Sequence, residues 1–317
     1  METLIIMLKN VLIFVLLAAP GYLLAKKKLV KAEDTGILSC LLANLGMPFL
    51  IFSSCLSLEF TPELTKSMLV IGLLSFLFWL ITFLLSPLFV PKYPDKKRRD
   101  MVQFCMVFAN TGFMGIPLAQ AMFGGGAPVA YTVILTITMN LVMFTMGVYL
   151  VSGDKKTIRL KKILLTPAFL AFILGIALNL LHIPARIPEI KTYSNYLSGI
   201  VTPLSMLILG IKLSQVPLKR LFASPMIYRT SLVRLVIFPI LGMAGILLLR
   251  GIPFLAIDRD MLVGFFIGIA MPTASLSSAF ADQYGGDDEC AALLVLGTTV
   301  LCVVSIPVLY WLLGYFL

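Results

Sequence analysis

Two segments of the chain place a proline among small and polar residues in the middle of an apolar run. The first reads Asn110-Thr111-Gly112-Phe113-Met114-Gly115-Ile116-Pro117. The second reads Gly268-Ile269-Ala270-Met271-Pro272-Thr273-Ala274-Ser275, and Ser277 and Ser278 follow it. Proline has no N–H, and its ring clashes with the carbonyl four residues earlier. We therefore expect a helix in each segment to break, near Pro117 and near Pro272.

A helix broken inside a membrane leaves backbone groups that hydrocarbon cannot satisfy, so such breaks occur where protein or a water-filled cavity supplies partners. If the two helices cross, the half-helices starting near Leu118 and Thr273 would direct their N–H groups and positive dipole ends to one point. An anion would be stabilised there. Asn110 lies nearly two turns before Pro117, on the same side of the helix, and its amide can donate and accept hydrogen bonds.

These observations predict a substrate-binding site made of the residues around the breaks and one asparagine from the next apolar run. Its members are Asn110, Thr111, Gly112, Gly115, Pro117, Asn140, Pro272, Thr273, Ser275 and Ser278. A plainer interpretation is that glycine and proline here form kinks or packing notches without a ligand. Interhelical hydrogen bonding would equally explain Asn140 and also Asn179.

Charged residues inside the apolar runs indicate whether a membrane protein of this kind binds ions or protons. An intramembrane carboxylate is costly and is kept mainly for ions or protons, and nearly all fifteen acids of this chain lie in loops. Asp282 is the candidate for a coupling proton, although an ordinary acid at a helix end is the favoured interpretation. Arg234 lies more than a turn inside its run and needs a carboxylate, backbone carbonyls or an anionic substrate as a partner, with a structural partner favoured.

Enzymatic chemistry has little support in the sequence. His182 is the only histidine, so a histidine-based metal site or a Ser-His-Asp triad cannot be assembled. The five cysteines have no CxxC spacing. We predict no cofactor, no metal ion and no enzymatic activity.

The elements that must position these residues follow from the composition. Of the 317 residues, 60% are hydrophobic and 13% are charged, and the mean hydropathy is +1.02. A membrane helix needs about 20 apolar residues, and roughly ten such runs occur in series. We predict ten transmembrane helices at about 4–25, 35–56, 67–89, 101–123, 127–150, 163–182, 192–213, 225–250, 261–283 and 290–315. The fold class is therefore an all-α polytopic membrane protein.

The net charge of +10 comes from basic residues scattered over short loops, which argues against nucleic-acid binding. The odd-numbered connections carry 17 Lys and Arg residues, and the even-numbered ones carry five. Because positive loops stay in the cytoplasm, this difference predicts that both termini lie on the extracytoplasmic side of a cytoplasmic membrane.

The prolines also suggest an internal repeat. Pro48 and Pro117 are 69 residues apart, as are Pro203 and Pro272, and the common offset of 155 superposes the predicted helix pattern. Each half holds five helices, so the second half would enter the membrane from the opposite side, as in many secondary transporters. We predict a first repeat at 1–151, a short cytoplasmic connection at 152–162 and a second repeat at 163–317.

At these residues the chain resembles the auxin efflux carrier family, which includes plant PIN-type auxin exporters and bacterial malonate or malate carriers. The resemblance covers essentially the whole chain. It rests on the segments already quoted and on Met47-Pro48-Phe49-Leu50-Ile51-Phe52, Leu209-Gly210, Arg234-Leu235-Val236-Ile237-Phe238-Pro239, Phe280-Ala281, Tyr284-Gly285 and Pro307-Val308-Leu309-Tyr310. The short connection at 152–162 is closer to the bacterial members than to the plant members with a long regulatory loop.

The resemblance implies two inverted five-helix repeats, similar to bile-acid symporters and sodium/proton antiporters, with crossing helices 4 and 9. It implies an elevator-type motion, carboxylate substrates held by Asn110 and the proline pair, and frequent homodimers. Our hypothesis is a carrier of small organic anions in a bacterial inner membrane, coupled to protons, to sodium or to neither. The alternatives are a receptor that binds an organic acid without moving it and, less favoured, a cation/proton antiporter.

Overall fold

The structure is a computed structural model that describes residues 2–31, 33–158, 165–215 and 223–317. In these ranges the chain is helical and has no β-strand. The helices are α1 (Glu2–Lys26), α2 (Thr35–Leu56), α3 (Pro62–Leu88), α4 (Lys96–Val107), α5 (Ile116–Phe123), α6 (Ala127–Ser152), α7 (Pro167–Leu180), α8 (Ile183–Arg186), α9 (Glu189–Gln215), α10 (Pro225–Leu249), α11 (Arg259–Ala270), α12 (Ser277–Tyr284) and α13 (Asp288–Leu313). Short 3₁₀ turns lie at Lys155–Thr157 and Pro253–Leu255.

Seven of these helices are long and apolar enough to cross a membrane, namely α1, α2, α3, α6, α9, α10 and α13. Three predicted spans have a different form. The predicted span 101–123 is divided into α4 and α5, and the predicted span 261–283 is divided into α11 and α12. The predicted span 163–182 contains the shorter apolar helix α7, and its first two residues lie outside the described part.

Four helical stretches contain a π-helical turn, and three of these turns end two residues before a proline. The turns are Leu42–Gly46, Thr111–Gly115 and Val233–Ile237, and the prolines are Pro48, Pro117 and Pro239. In each case the residue before the proline donates its N–H to the carbonyl five residues earlier. This wider turn accommodates a residue that has no N–H of its own, so the helix continues through the proline.

The helices pack in two groups. In the first group α1 packs along the Val201–Gln215 part of α9, and α2 packs on α7 and on the Glu189–Ser198 part of α9. In the second group α6 packs on α3 and α11, and α13 packs on α4, α10 and α12. The interrupted helices therefore belong to the second helix group.

The first helix group contains a close backbone contact between α1 and α9. A Cβ atom added at Gly210 would lie 1.9 Å from the carbonyl oxygen of Ala18, and one added at Gly21 would lie 2.2 Å from that of Leu207. Only glycine permits this approach, which is a common way for membrane helices to pack. The pair explains why these positions carry no side chain.

Several predictions about the chain's organisation lie outside the described residues. Arg159, Lys161, Lys162, Lys219 and Arg220, which contribute to the predicted topology, are among them. So is the predicted boundary between the repeats at 162 and 163. The prediction of two halves stays a prediction.

Candidate functional site

The two interruptions contact each other in the interior of the protein. Residues 108–110 are non-helical between α4 and the π turn, and residues 271–276 connect α11 to α12. Ala109 and Thr273 form an antiparallel bridge. The Asn110 amide donates to the Pro272 carbonyl at 2.7 Å, and the Ala274 amide donates to the Phe108 carbonyl at 2.9 Å. We call these two non-helical segments the crossover.

The position of the first interruption differs from the sequence-based expectation. Pro117 was expected to break its helix, but the chain is helical from Thr111 to Phe123. The break lies at Phe108 to Asn110, before the π turn that accommodates Pro117. The second half-helices accordingly begin at Thr111 and Ser277, not near Leu118 and Thr273. Pro272 does lie within its break, where its missing N–H and ring prevent α11 from continuing.

The carbonyl ends of α4 and α11 have a common cationic partner. The Arg234 side chain is fully buried. Its guanidinium donates to the Val107 carbonyl at 2.7 Å and to the Met271 carbonyl at 3.1 Å, and it also donates to the Ile269 carbonyl. These carbonyls lie at or beside the C-terminal ends of the two helices, where the backbone dipole is negative. Arg234 thus neutralises both ends, and the expectation of a structural carbonyl partner is met.

An aromatic ring completes the surroundings of Arg234. The guanidinium carbon lies 5.6 Å from the ring centroid of Trp79, which is also fully buried. This distance suits a cation–π contact. The Trp79 indole N–H donates to the Leu135 carbonyl at 3.2 Å, which fixes the ring against α6. The second helix group therefore contacts the guanidinium both through backbone carbonyls and through an aromatic ring.

The two threonines of the predicted site hold the crossover together. The Thr111 hydroxyl donates to the Gly268 carbonyl at 3.1 Å, and the Thr273 hydroxyl donates to the Cys105 carbonyl at 2.8 Å. The Thr273 amide donates to the Thr298 hydroxyl at 3.1 Å. Both side chains are fully buried. Each hydroxyl connects one interrupted helix to the other, so these residues position the site and do not line its cavity.

Asn110 and Ser275 are brought together at the crossover. The Asn110 side-chain amide donates to the Ser275 hydroxyl at 2.7 Å across 165 residues of sequence. Both residues line a cavity of about 200 Å³. Both residues belong to the site predicted from the sequence, and the structure makes them direct neighbours. A ligand in the cavity would therefore meet a connected pair of polar groups from the two halves of the chain.

The cavity lies between the two helix groups and has no charged lining residue among the described ones. Its walls come from α2, α6, the start of α7, the crossover and the π turn Thr111–Gly115. The lining residues are Ala43, Asn44, Met47, Ile51, Ala109, Asn110, Gly112, Phe113, Thr136, Met139, Asn140, Met143, Phe144, Thr166, Pro167, Ala168, Ala274, Ser275 and Leu276. The space thus combines an apolar wall with a few amide and hydroxyl groups, as small-molecule sites commonly do.

The N-terminal ends of the second half-helices add backbone donors to this region. Among the described residues, the amide N–H groups of Thr111, Gly112 and Phe113 have no backbone acceptor, and the same holds for Ser275 and Leu276. The first turn of a helix always leaves such groups unpaired within the helix. Gly112, Phe113, Ser275 and Leu276 also line the cavity. The positive ends of both half-helices are therefore close to it.

The remaining predicted site residues occupy three kinds of position. Asn140 lines the cavity. Gly115 packs tightly, because a Cβ atom there would lie 3.2 Å from the Met271 side chain. Pro117 and Ser278 do not line the cavity. Asp282 is exposed on α12 and is also absent from the lining, so its surroundings are those of an ordinary helix-end acid.

Asn179 has a packing role. Its side-chain amide donates to the Cys55 carbonyl at 2.7 Å and to the Leu58 carbonyl at 2.8 Å, which connects α7 to the end of α2. This is the interhelical hydrogen bonding considered from sequence. The chain thus contains one asparagine at the crossover and another that supports packing.

Sequence reasoning missed several lining residues. Phe113 and Leu276 were not selected, although each lies beside a selected residue. Met47 and Asn44 belong to α2, whose Pro48 served as a repeat marker and as part of the family resemblance but not as a sign of a binding site. Their proximity to a helix proline was the available signal, because prolines and π turns often accompany functional positions. Apolar lining residues carry no chemical signal of their own.

Comparison with known proteins agrees with this architecture. Residues 6–310 match the model of the family described as "Membrane transport protein". The chain belongs to this family. It is the auxin efflux carrier family, which the sequence resembles.

Similar proteins in the same family come from archaea and bacteria. An "Uncharacterized transporter" of Methanothermobacter thermautotrophicus is 27% identical over 308 residues, covering 94% of each chain. A protein of Methanocaldococcus jannaschii with the same description is 28% identical and covers 96% of this chain and 97% of its own length. A "Putative malonate transporter" of Rhizobium meliloti is 24% identical and covers 92% and 91%. The family and the apolar helices make this chain a multi-pass membrane transport protein.

Proposed function

We propose that the protein is a secondary transporter that moves small organic anions by alternating access. The observation that carries this proposal is the crossover beside a cavity that contains Asn110 and Ser275 and has no lining acid among the described residues. Unpaired backbone N–H groups and helix N-termini stabilise negative charge. A cation carrier would need carboxylates at this position. The name of the Rhizobium meliloti relative is consistent with a carboxylate as the transported group.

We further propose that the transport motion is of the elevator type. The cavity is lined on one side by α2 and α7 of the first helix group and on the other by α6 and the crossover of the second. Sliding of one group along the other would carry a ligand held at the crossover. The close backbone contact of α1 with α9 gives the first helix group a rigid part against which such sliding could occur.

The proposed membrane arrangement is two inverted five-helix repeats, at 1–151 and 163–317, with both termini on the extracytoplasmic side of the cytoplasmic membrane. The order of α2 to α6 supports it, because α9 to α13 repeats that order: a long helix, a second long helix, an interrupted pair and a final long helix. The offset between the two repeats differs from the 155 positions expected from the prolines. Ala127 and Asp288 begin the helices that follow the two interruptions, and they are 161 positions apart. Homodimer formation and coupling to protons or sodium stay predictions.

The test is flux of labelled malonate, malate and an indole acid into proteoliposomes that contain the purified protein. We expect saturable uptake of at least one carboxylate above that of protein-free liposomes. The assay is repeated with sodium or proton gradients to identify coupling. Carboxylate binding without flux would favour the receptor alternative, and sodium-driven proton movement without carboxylate flux would favour the cation/proton antiporter.

A further inference from the structure

A second, smaller cavity adjoins the first at the crossover. Its volume is about 40 Å³, and it shares Phe113, Ser275 and Leu276 with the larger cavity. The other lining residues come from α2, α9 and α13, and they are Ser39, Leu42, Ser205, Ile208, Leu209, Lys212, Val295 and Leu296. This volume is sufficient for a water molecule or a carboxylate group.

Lys212 is the charged residue that lines this second cavity. It lies in the last turn of α9 and is partly buried. None of the described Asp and Glu residues forms an ion pair with it, since the salt bridges in the described part involve Lys96, Arg98 and Arg99. A cation inside a membrane protein normally has a partner, because an unpaired charge away from water is costly.

Two structural explanations for a lysine at a helix end are tested by comparing Lys212 with Lys26. A cation is favourable at a helix C-terminus, and a long side chain can extend to the lipid headgroups. Lys26 has this role in α1, where it is exposed and lies 5.5 Å from the ring centroid of Tyr22. Lys212 differs, because its side chain lines a cavity together with Ser275. The dipole of α9 accounts for a cation in the last turn of the helix but not for its place in the lining of a cavity.

We propose that Lys212 forms an ion pair with a carboxylate group of the transported anion when that group occupies the second cavity. This inference rests on the proposed transport of organic anions. The larger cavity is lined by amides and hydroxyls and by no cationic residue among the described ones, whereas a lysine lines the second cavity. Ser275 lines both and accepts a hydrogen bond from Asn110. The two cavities are then neighbouring subsites that share Ser275.

The first test measures malonate uptake by proteoliposomes containing wild type, Lys212→Met, Lys212→Arg or Lys26→Met. We expect Lys212→Met to raise the KM by about tenfold to a hundredfold, the range that loss of a charged hydrogen bond produces. Lys212→Arg should retain part of the affinity, and Lys26→Met should behave as wild type. An unchanged KM in Lys212→Met would overturn the inference while leaving the proposed function intact. No carboxylate flux in the wild type would overturn both.

The second test distinguishes a charge from a packing role. Lys212→Cys is made in a Cys40→Ser background, because Cys40 is exposed and the other four cysteines are buried. Modification with 2-aminoethyl methanethiosulfonate restores a positive charge and should recover malonate uptake, whereas the negatively charged sulfonatoethyl reagent should not. Equal recovery by both reagents would contradict the ion pair. Failure of all Lys212 variants to assemble would assign the lysine a structural role and would also contradict it.

Discussion

The C-terminal and N-terminal ends of the interrupted helices meet at the same crossover but have different partners. On the C-terminal side, Arg234 donates to carbonyls of both helices and is fully buried against Trp79. On the N-terminal side, unpaired N–H groups, Asn110 and Ser275 lie beside a cavity. The negative helix ends are thus neutralised by Arg234, whereas the positive helix ends are placed to stabilise an anionic ligand.

This difference explains how a membrane protein can keep two interrupted helices in its interior. The carbonyl ends would be costly in a low-dielectric environment, and one arginine satisfies three of their carbonyls. The N–H ends lie next to a space that water or an anion can enter. We therefore expect changes on the carbonyl side to act on stability and changes on the N–H side to act on transport.

The largest expected effect is that of Arg234→Met. Removing the guanidinium leaves buried carbonyls without donors, which should cost on the order of 3–5 kcal/mol. We expect a large loss of melting temperature in detergent, or failure to assemble. Arg229→Met is the control, because Arg229 is exposed and has one hydrogen bond, to the Phe89 carbonyl. A wild-type melting temperature for Arg234→Met would contradict the proposed neutralisation.

Asn110→Ala should act on transport instead of stability. The substitution removes the hydrogen bond to Ser275 but leaves the backbone bond to Pro272. We expect carboxylate flux to fall by about tenfold or more, with little change in melting temperature. The matched control is Asn179→Ala, which removes two packing hydrogen bonds. Asn179→Ala should lower the melting temperature and leave the KM unchanged. A loss of stability in Asn110→Ala together with a loss of transport in Asn179→Ala would contradict the assignment of transport to one asparagine and packing to the other.

Replacement of the two prolines distinguishes the interruption from the π turn. Pro272→Ala adds an N–H and removes the ring that stops α11, so the helix can extend into the crossover. We expect its flux to fall by about fivefold or more, which corresponds to ~1 kcal/mol. Pro117→Ala should have a smaller effect, because the π turn already accommodates this proline. Equal losses of flux would mean that both prolines define the site in the same way.

The smallest expected effect is that of Asp282→Asn. Asp282 is exposed and does not line the cavity. We therefore expect unchanged flux and an unchanged dependence of flux on external pH. A flattened pH profile in this variant would assign the coupling proton to Asp282 and would place a functional group outside the cavity.

The sequence was most informative where chemistry and periodicity agree. Apolar runs of membrane-spanning length predict the long helices, and the polar residues beside the two prolines predict Asn110 and Ser275 as site residues. The exact interruption could not be predicted, because a proline constrains the helix around it without specifying whether the chain breaks or widens into a π turn. The role of Arg234 depends on carbonyls from two other helices, a contact that no local pattern contains.

The most direct test of the central claim is a structure of the protein determined with bound malonate. We expect a carboxylate of the ligand in the larger cavity, within hydrogen-bonding distance of the Asn110 amide or the Ser275 hydroxyl and near the N-terminal ends of the half-helices. Malonate bound at Arg234 or outside the cavities, with Asn110 and Ser275 unoccupied, would contradict the account.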